Sequence, residues 1–280
     1  MERDSVSVVI PTYNRRDWVR EAIESVLEQS ETPFELIVVD DGSEDDTALA
    51  VRGFGERVRY ERMARRGVSA ARNVGVRVSR GRWIAFLDSD DLWLPEKLAI
   101  QMDFLRDHPQ YRICQTEEVW LRYGRRVNPK KVHEKPEGHC FERLLERCLV
   151  SPSAVLLSRG LLDEVGGFDE EMPACEDYDL WLRIGCRYPL GLIRDPLVIK
   201  RGGHEDQLSR SIPGLDRWRI RALEKILRSG RLTAAQARQA LSVLAEKCRV
   251  YAGGCTKRGK LDEAQHFASL AGRVIQATKR

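Results

Sequence analysis

Residues 81–91 read Gly-Arg-Trp-Ile-Ala-Phe-Leu-Asp-Ser-Asp-Asp. Trp83 to Leu87 is a short apolar run with no polar interruption, the composition of a strand buried on both faces. The chain then turns polar at once, so Asp88 and Asp90 leave the strand end two residues apart. Hard cations such as Mg²⁺ and Mn²⁺ take oxygen ligands, usually one or two carboxylates completed by phosphate oxygens and water. A metal held here could bridge to a diphosphate. The same aspartates also read as a turn that caps a helix, because Asp91 precedes a helical pattern that Pro95 opens and that runs through Leu105. Spacing alone leaves both readings open.

Working outward, the same arrangement recurs. Ser5 to Ile10 reads as a buried strand stopped by Pro11, and Phe34 to Val39 as a second strand ending in Asp40-Asp41-Gly42-Ser43. Between them Val19, Ala22, Ile23, Val26 and Leu27 recur at helical spacing, with Asn14 as the N-cap. A short helix, a strand near Val58 to Tyr60 and a helix over Val68 to Val78 follow. Strands alternating with helices predict an α/β fold with a mostly parallel sheet. In such sheets ligands bind beyond the carboxyl ends of the strands. Thr12-Tyr13-Asn14, Asp40-Asp41 and Asp88-Ser89-Asp90 all stand there.

Further along, Ala154–Leu157 and Leu192–Ile199 read as strands and Tyr178–Cys186 as a helix, with Gly202-Gly203 breaking the pattern. Beyond about residue 213 only helical stretches remain, near 216–228, 233–250 and 261–277, with an apolar stripe at Leu241, Leu244, Cys248 and Tyr251. This divides the chain into residues 1–212, an α/β domain, and 213–280, a C-terminal α-helical appendage.

Bulk properties exclude several classes. With 47 basic and 43 acidic residues among 280, the net charge of +4 gives no argument for nucleic acid. Seven cysteines, an odd number without a Cys-x-x-Cys pair, suit reduced thiols in a cytoplasmic protein. No apolar run approaches the ~20 residues of a membrane span, and Met1-Glu2-Arg3-Asp4 leads into a strand without a signal-peptide core. A membrane-bound partner would have to be met from outside the bilayer. A Gly-x-Gly-x-x-Gly turn, a phosphate-binding Gly-x-x-x-x-Gly-Lys-Ser/Thr loop and a Gly-x-Ser-x-Gly elbow are all missing.

Taken singly, the other polar positions stay ambiguous. Tyr13 is either a base-stacking ring or a surface aromatic. Asp40 either accepts bonds from a base or ribose or shapes a turn. Arg72 is a phosphate contact or a solvated helix residue. Glu176-Asp177-Tyr178-Asp179 favours a helix dipole or holds a general base. His204 is a loop histidine or a metal or diphosphate contact.

The order of the motifs adds what single residues lack. VSVVIPTYNR (6–15), ELIVVDDGSEDDT (35–47), GVSAARNVGV (67–76), GRWIAFLDSDDLWLPEKL (81–98), VGGFDE (165–170), EDYDLWLR (176–183) and KRGGHEDQLS (200–209) together resemble glycosyltransferase family 2, whose members adopt the A-type glycosyltransferase fold. The match runs over about residues 5–210 and leaves the C-terminal helices outside. The resemblance implies a donor-binding set of Pro11, Thr12, Tyr13, Asp40, Arg72, Asp88, Ser89 and Asp90. Thr12 and Tyr13 would border the base, Asp40 would contact it, and Arg72 would sit near the phosphates or ribose. Asp88 and Asp90 would be the metal and diphosphate motif, with Asp90 the leading ligand and His204 at a variable position beside it. Asp177 would be the catalytic base, and Glu176 and Trp181 would lie on the acceptor side.

The implied reaction is an inverting transfer of sugar from a nucleotide-diphosphate sugar, UDP-linked, to an acceptor hydroxyl. It would use Mn²⁺ or Mg²⁺ and serve polysaccharide, lipopolysaccharide or other glycoconjugate synthesis. The partners would be the donor and a glycan or lipid-linked acceptor, without nucleic acid. Basic residues of the tail, Lys257, Arg258, Lys260, Lys279 and Arg280, read either as a peripheral contact at the inner face of the membrane or as a solvated end. Two alternatives differ in kind. A nucleotidyltransferase would need a Gly-rich basic loop where Pro11-Thr12-Tyr13-Asn14 stands. A non-catalytic binding module of the same fold would not need Asp90 and Asp177, and both are present.

Overall fold

The computed structural model describes residues 4–128, 130–204 and 212–278. Residues 205–209 of the last motif, and Lys279 and Arg280 of the tail, lie outside the described residues. Strands β1 (Val6–Thr12), β2 (Glu35–Asp40), β3 (Arg59–Arg62), β4 (Trp83–Phe86), β5 (Leu92–Trp93), β6 (Ile113–Arg122), β7 (Arg125–Val127), β8 (Val155–Ser158) and β9 (Gly191–Gly202) form one sheet. Its order is β3-β2-β1-β4-β8-β6-β9-β5, with β7 paired to β6.

The expected α/β fold forms. From β3 to β4 the sheet is parallel. Beyond β4 it is mixed, because β8 enters antiparallel between β4 and β6 while β6 and β9 run parallel. Helices cover both faces of β1. Val8 and Ile10 pack with Val19, Ala22, Ile23 and Val26 of α1 (Arg16–Leu27). Val9 points the other way, into the cluster that holds Ala71 of α3 (Val68–Val78). The approach there is close enough that a Cβ on Gly75 would lie 2.2 Å from Val9 Cγ1.

Two local expectations are corrected. Pro11 does not stop β1, which continues through Thr12. Val9 O accepts from Leu87 N, so odd residues of β1 face β4, and β4 has ended by the level of Pro11; the missing N–H costs no ladder bond. Asn14 does not cap α1, whose first turn has no side-chain cap. It sits at φ 49°, and its side-chain oxygen accepts from Glu44 N at 2.8 Å, tying the β1 turn to the β2 loop.

The remaining helices are α2 (Thr47–Arg52), α4 (Lys97–Asp107), α5 (Phe141–Glu146), α6 (Arg159–Val165), α7 (Glu176–Gly185), α8 (Leu215–Arg228), α9 (Ala234–Lys257) and α10 (Leu261–Thr278). The expected boundary at 212/213 marks a change of pattern and not a break in the core. Ile220, Leu223, Ile226 and Leu227 of α8 join one hydrophobic cluster with Tyr178, Trp181 and Leu182 of α7. Lys225 also reaches α7, 2.6 Å from Asp179 Oδ1. The helical tail therefore forms the floor beneath α7. Among the described residues no helix is long and apolar enough to cross a membrane.

Candidate functional site

Thr12 and Asp40 are paired in register at the carboxyl ends of β1 and β2. Asp40 has no accessible surface. Its oxygens accept from Ser43 N at 2.7 Å and Tyr60 Oη at 2.5 Å. It thus anchors the loop after β2 and offers no open oxygen to a base. Asp41 likewise accepts from the backbone of Arg66 at 2.7 Å and of Gly67 at 2.8 Å, which seats the turn before α3. Tyr13 is half-buried, with the Arg65 guanidinium 4.0 Å over its ring. Pro11 and Ser89 are buried at their strand ends.

Beyond β4 the acids are joined by side chains. Arg72 is expected near phosphates, yet it is buried and both of its terminal nitrogens are engaged by carboxylates. Its Nη2 donates to Asp88 at 2.6 Å and its Nη1 to Glu176 at 2.8 Å. Burial opposes its charge, but the two carboxylates outweigh it and hold the guanidinium above its usual range. One arginine on α3 thereby ties the end of β4 to the first turn of α7. The motif VGGFDE docks beside it. Asn73 accepts from Phe168 N at 3.0 Å and donates to Phe168 O at 2.9 Å. Gly167, at φ 66°, lies where a Cβ would come 2.9 Å from Asn73 Oδ1.

Asp90 Oδ2 lies 2.6 Å from Arg15 Nη1 and 2.9 Å from His204 Nε2. Burial would raise this carboxyl, but His204 and Arg15 prevail and hold it well below the usual carboxylate range. Asp91 does not cap a helix, because β5 follows it. It is buried and accepts from Ser153 Oγ at 2.7 Å and Arg201 N at 2.9 Å. Burial, then the neighbouring Asp90 charge, push it up to about 8. Ser153 also accepts from Asp88 N at 3.1 Å, so it fixes both ends of the aspartate turn.

At α7 the three acids differ. Glu176 is buried against Arg72; burial, then the Asp177 charge, push it up to about 7. Asp179 is buried and paired with Arg183 and Lys225. Asp177 alone of the three is partly open. Its Oδ2 accepts from the Cys148 thiol at 3.1 Å. Burial, then the Asp177 charge, raise that thiol well above its usual value, so it stays a donor. Trp181 was expected to wall the acceptor side. It is 1% exposed and belongs to the core under α7, so it supports the helix from beneath and lines no open surface.

The donor set at Asp90 suits Mn²⁺ or Mg²⁺: a carboxylate oxygen and an imidazole nitrogen 2.9 Å apart, with Asp88 on the same turn. Among the described residues no three His, Cys, Asp or Glu gather around one point, so any cation would take the rest of its shell from phosphate and water. A cavity of ≈ 340 Å³ is lined by residues 14–18, Asp45 and Asp46, and shares with the acid site only Arg15.

Sequence reading missed Arg15, Cys148, Ser153 and Arg201. Arg15 stands inside the quoted motif 6–15 and could have been found there. Cys148 carries no local signal at all.

Comparison with known proteins agrees with this geometry. The model of the family described as Glycosyl transferase family 2 matches residues 7–162. The Escherichia coli UDP-Glc:alpha-D-GlcNAc-diphosphoundecaprenol beta-1,3-glucosyltransferase WfgD is 33% identical over 187 residues, 64% of this chain and 69% of that protein. The putative teichuronic acid biosynthesis glycosyltransferase TuaG of Bacillus subtilis is 39% identical over 158 residues, 55% of this chain and 62% of that one. A glycosyltransferase of Rickettsia felis is 34% identical over 66% of this chain, but the match spans only 31% of its own length. Among solved structures, S. aureus TarS 1-349 in complex with UDP-GlcNAc superposes with a TM-score of 0.78 over 98% of this chain and 81% of that one, at 21% identity. The mannosyltransferase PcManGT of Pyrobaculum calidifontis, in complex with GDP-Man and Mn²⁺, gives 0.59 over 96% and 80%, also at 21% identity. At that identity the likeness is one of fold.

Proposed function

Because the chain belongs to glycosyl transferase family 2, we propose that it moves a sugar from a UDP-linked donor onto a hydroxyl of a lipid-linked glycan, inverting the anomeric centre. The observation that carries this reading is the bridge Asp88–Arg72–Glu176. It fixes the strand-end acids and the first turn of α7, where Asp177 stands, as one unit.

An acceptor hydroxyl is a weak nucleophile while it keeps its proton. Asp177, partly open and oriented by Cys148, takes that proton as the oxygen attacks the anomeric carbon from the face opposite the diphosphate. A positioned base contributes ~10²–10⁴-fold. The diphosphate leaves as an anion, so no acid has to protonate it if its charge is met. A divalent cation held by Asp90 and His204, with Asp88 alongside, would supply that charge when bound. Arg15, against Asp90, adds a fixed positive charge at the same place. Thr12 and Tyr13 border the nucleotide, and Asp40 shapes the loop that faces it. The acceptor class rests on the E. coli relative, which acts on a diphosphoundecaprenol-linked sugar. Such an acceptor would be met at the cytoplasmic face of a membrane.

The test is a panel of nucleotide-sugars, read by thermal stabilisation and slow donor hydrolysis with and without Mn²⁺. UDP-sugars should stabilise the protein only with the cation, and Asp90→Ala should abolish that gain. Equal stabilisation in EDTA defeats the metal reading. No hydrolysis or transfer from any donor would favour the non-catalytic module.

A further inference from the structure

The β6–β7 hairpin plays no part in the chemistry above, yet its construction is costly. It turns on two residues, Tyr123 and Gly124, both at positive φ, 50° and 72°. Such tight hairpin turns favour Asn, Asp or Gly, and a bulky residue there is strained. The register sets Arg122 directly opposite Arg125, and like charges facing across two strands destabilise the pair. Arg126, Lys130 and Lys131 follow on the return, and all five cations are exposed. Of the neighbouring acids, Glu118 is paired with Lys135 at 3.0 Å and Glu137 with Arg194 at 2.8 Å, while Glu117 and Glu134 form no ion pair with these cations. Among the described residues none of the five cations enters an ion pair. Two of the few exposed large apolar side chains also lie here, Tyr123 at 68% and Val132 at 50%.

The hairpin adjoins the site. Tyr123 N donates to Gly202 O at 3.1 Å. A Cβ on Gly203 would lie 3.1 Å from both the Arg122 side chain and the Tyr123 ring, and the next residue is His204, against Asp90.

We propose that this hairpin is a membrane-surface anchor: its cations take the headgroups of an anionic bilayer while Tyr123 and Val132 enter the interfacial layer. Cations near an anionic surface attract it additively, and amphipathic aromatics settle at the headgroup level. An anionic polymer would also draw the cations and could stack on Tyr123, but it gains nothing from the exposed Val132. The basic tail is a weaker candidate, because Lys260 lies 3.7 Å from Glu263 and Arg258 turns back onto Cys255. The inference deepens the lipid-linked acceptor reading and rests on it, since anchoring through a hairpin that adjoins residues 202–204 holds the site close to the bilayer that carries the acceptor. Vesicle binding needs neither donor nor turnover, so failure of one reading is distinguishable from failure of the other.

The experiment is flotation of the full chain with vesicles of phosphatidylcholine alone or mixed with phosphatidylglycerol, at low and high salt, with size exclusion in parallel. Wild type should float only with the anionic vesicles and lose this at high salt. The triple variant Arg122→Gln, Arg125→Gln, Arg126→Gln should weaken binding at least about tenfold. Tyr123→Asn, which suits the turn better and should fold at least as well, should weaken it about threefold and leave the salt dependence unchanged. Lys257→Gln with Arg258→Gln should bind as wild type does. The proposal is overturned if wild type does not float, if the tail variant alone loses binding, or if the triple variant floats normally but self-associates, which would make the arginines guards of an open sheet edge. Binding of a soluble polyanion without flotation reassigns the patch to an anionic polymer and equally overturns it.

Discussion

The acids on the two sides of the site draw on backbone and side-chain donors in different proportion. At the end of β2, Asp40 and Asp41 accept from the backbone N–H groups of Ser43, Arg66 and Gly67, and from one side chain, Tyr60 Oη. At α7, Glu176 is held by the side chain of Arg72, 104 residues away in sequence, and Asp177 by the thiol of Cys148 besides the N–H of its neighbour Tyr178. Backbone donors survive any ordinary substitution of the residues that carry them, whereas side-chain donors can be removed one at a time. The nucleotide side should therefore tolerate point changes that the acceptor side does not.

Arg72→Ala should break the comparison most severely. It leaves Asp88 and Glu176 without their partner, Glu176 in a buried site, and such losses typically cost about 3–5 kcal/mol. Urea denaturation measures this, and adding Glu176→Gln should recover part of it. Recovery of nothing would mean that Arg72 matters through packing on Phe168, 5.0 Å from its guanidinium. Asp177→Asn comes next. Transfer should fall at least ~10²-fold, about 2.7 kcal/mol in the barrier, while donor-dependent thermal stabilisation stays as in wild type. Near-normal transfer would remove Asp177 from the role and turn attention to Glu176.

Cys148→Ala sharpens the contrast at smaller scale. It removes an orienting bond and no reacting group, so kcat should drop about tenfold or less, with donor affinity kept and Cys148→Ser restoring part of the rate. An unchanged pH–rate profile and rate would show that the thiol does not position Asp177. The smallest effect is a control at a residue that touches none of these acids. Lys97 is fully buried, 2.6 Å from Gln101 Oε1 and over the Trp93 ring, and burial pushes it down to about 7 from 10.5. Cys114 and Lys135 are the nearest titratable groups, and burial drives Cys114 up to about 12, so it stays neutral. Between these limits the unfolded chain binds more protons than the folded one, so stability should rise as pH climbs from about 7 towards 10. Lys97→Met should flatten that slope in thermal melts without altering transfer.

Much of the donor half was legible because its signals are local. Apolar runs of strand length, helical spacing in α1 and α3, and polar residues at the strand ends follow from periodicities of two and 3.6 residues. The helix expected over 68–78 forms over those residues. The strand β6 carried no such signal: Ile113–Arg122 mixes polar and apolar residues, and it is held by β8 and β7 on one side and β9 on the other. The tail helices were visible one by one through their apolar stripes. That Leu223 and Ile226 would share a core with Trp181 was not, because a stripe states that a face must be buried and not against what.

The sequence by itself therefore determined the α/β class, the family and the strand ends at which the polar residues gather, since each depends on short-range pattern and ordered motifs. Only the tertiary structure decided that Arg72 is a buried bridge, that Asp40 anchors a loop, that Trp181 lies in the core and that Cys148 meets Asp177. Those outcomes depend on which charges and surfaces meet across separations as large as 104 residues, where burial makes the choice of partner energetically decisive and no local pattern records it.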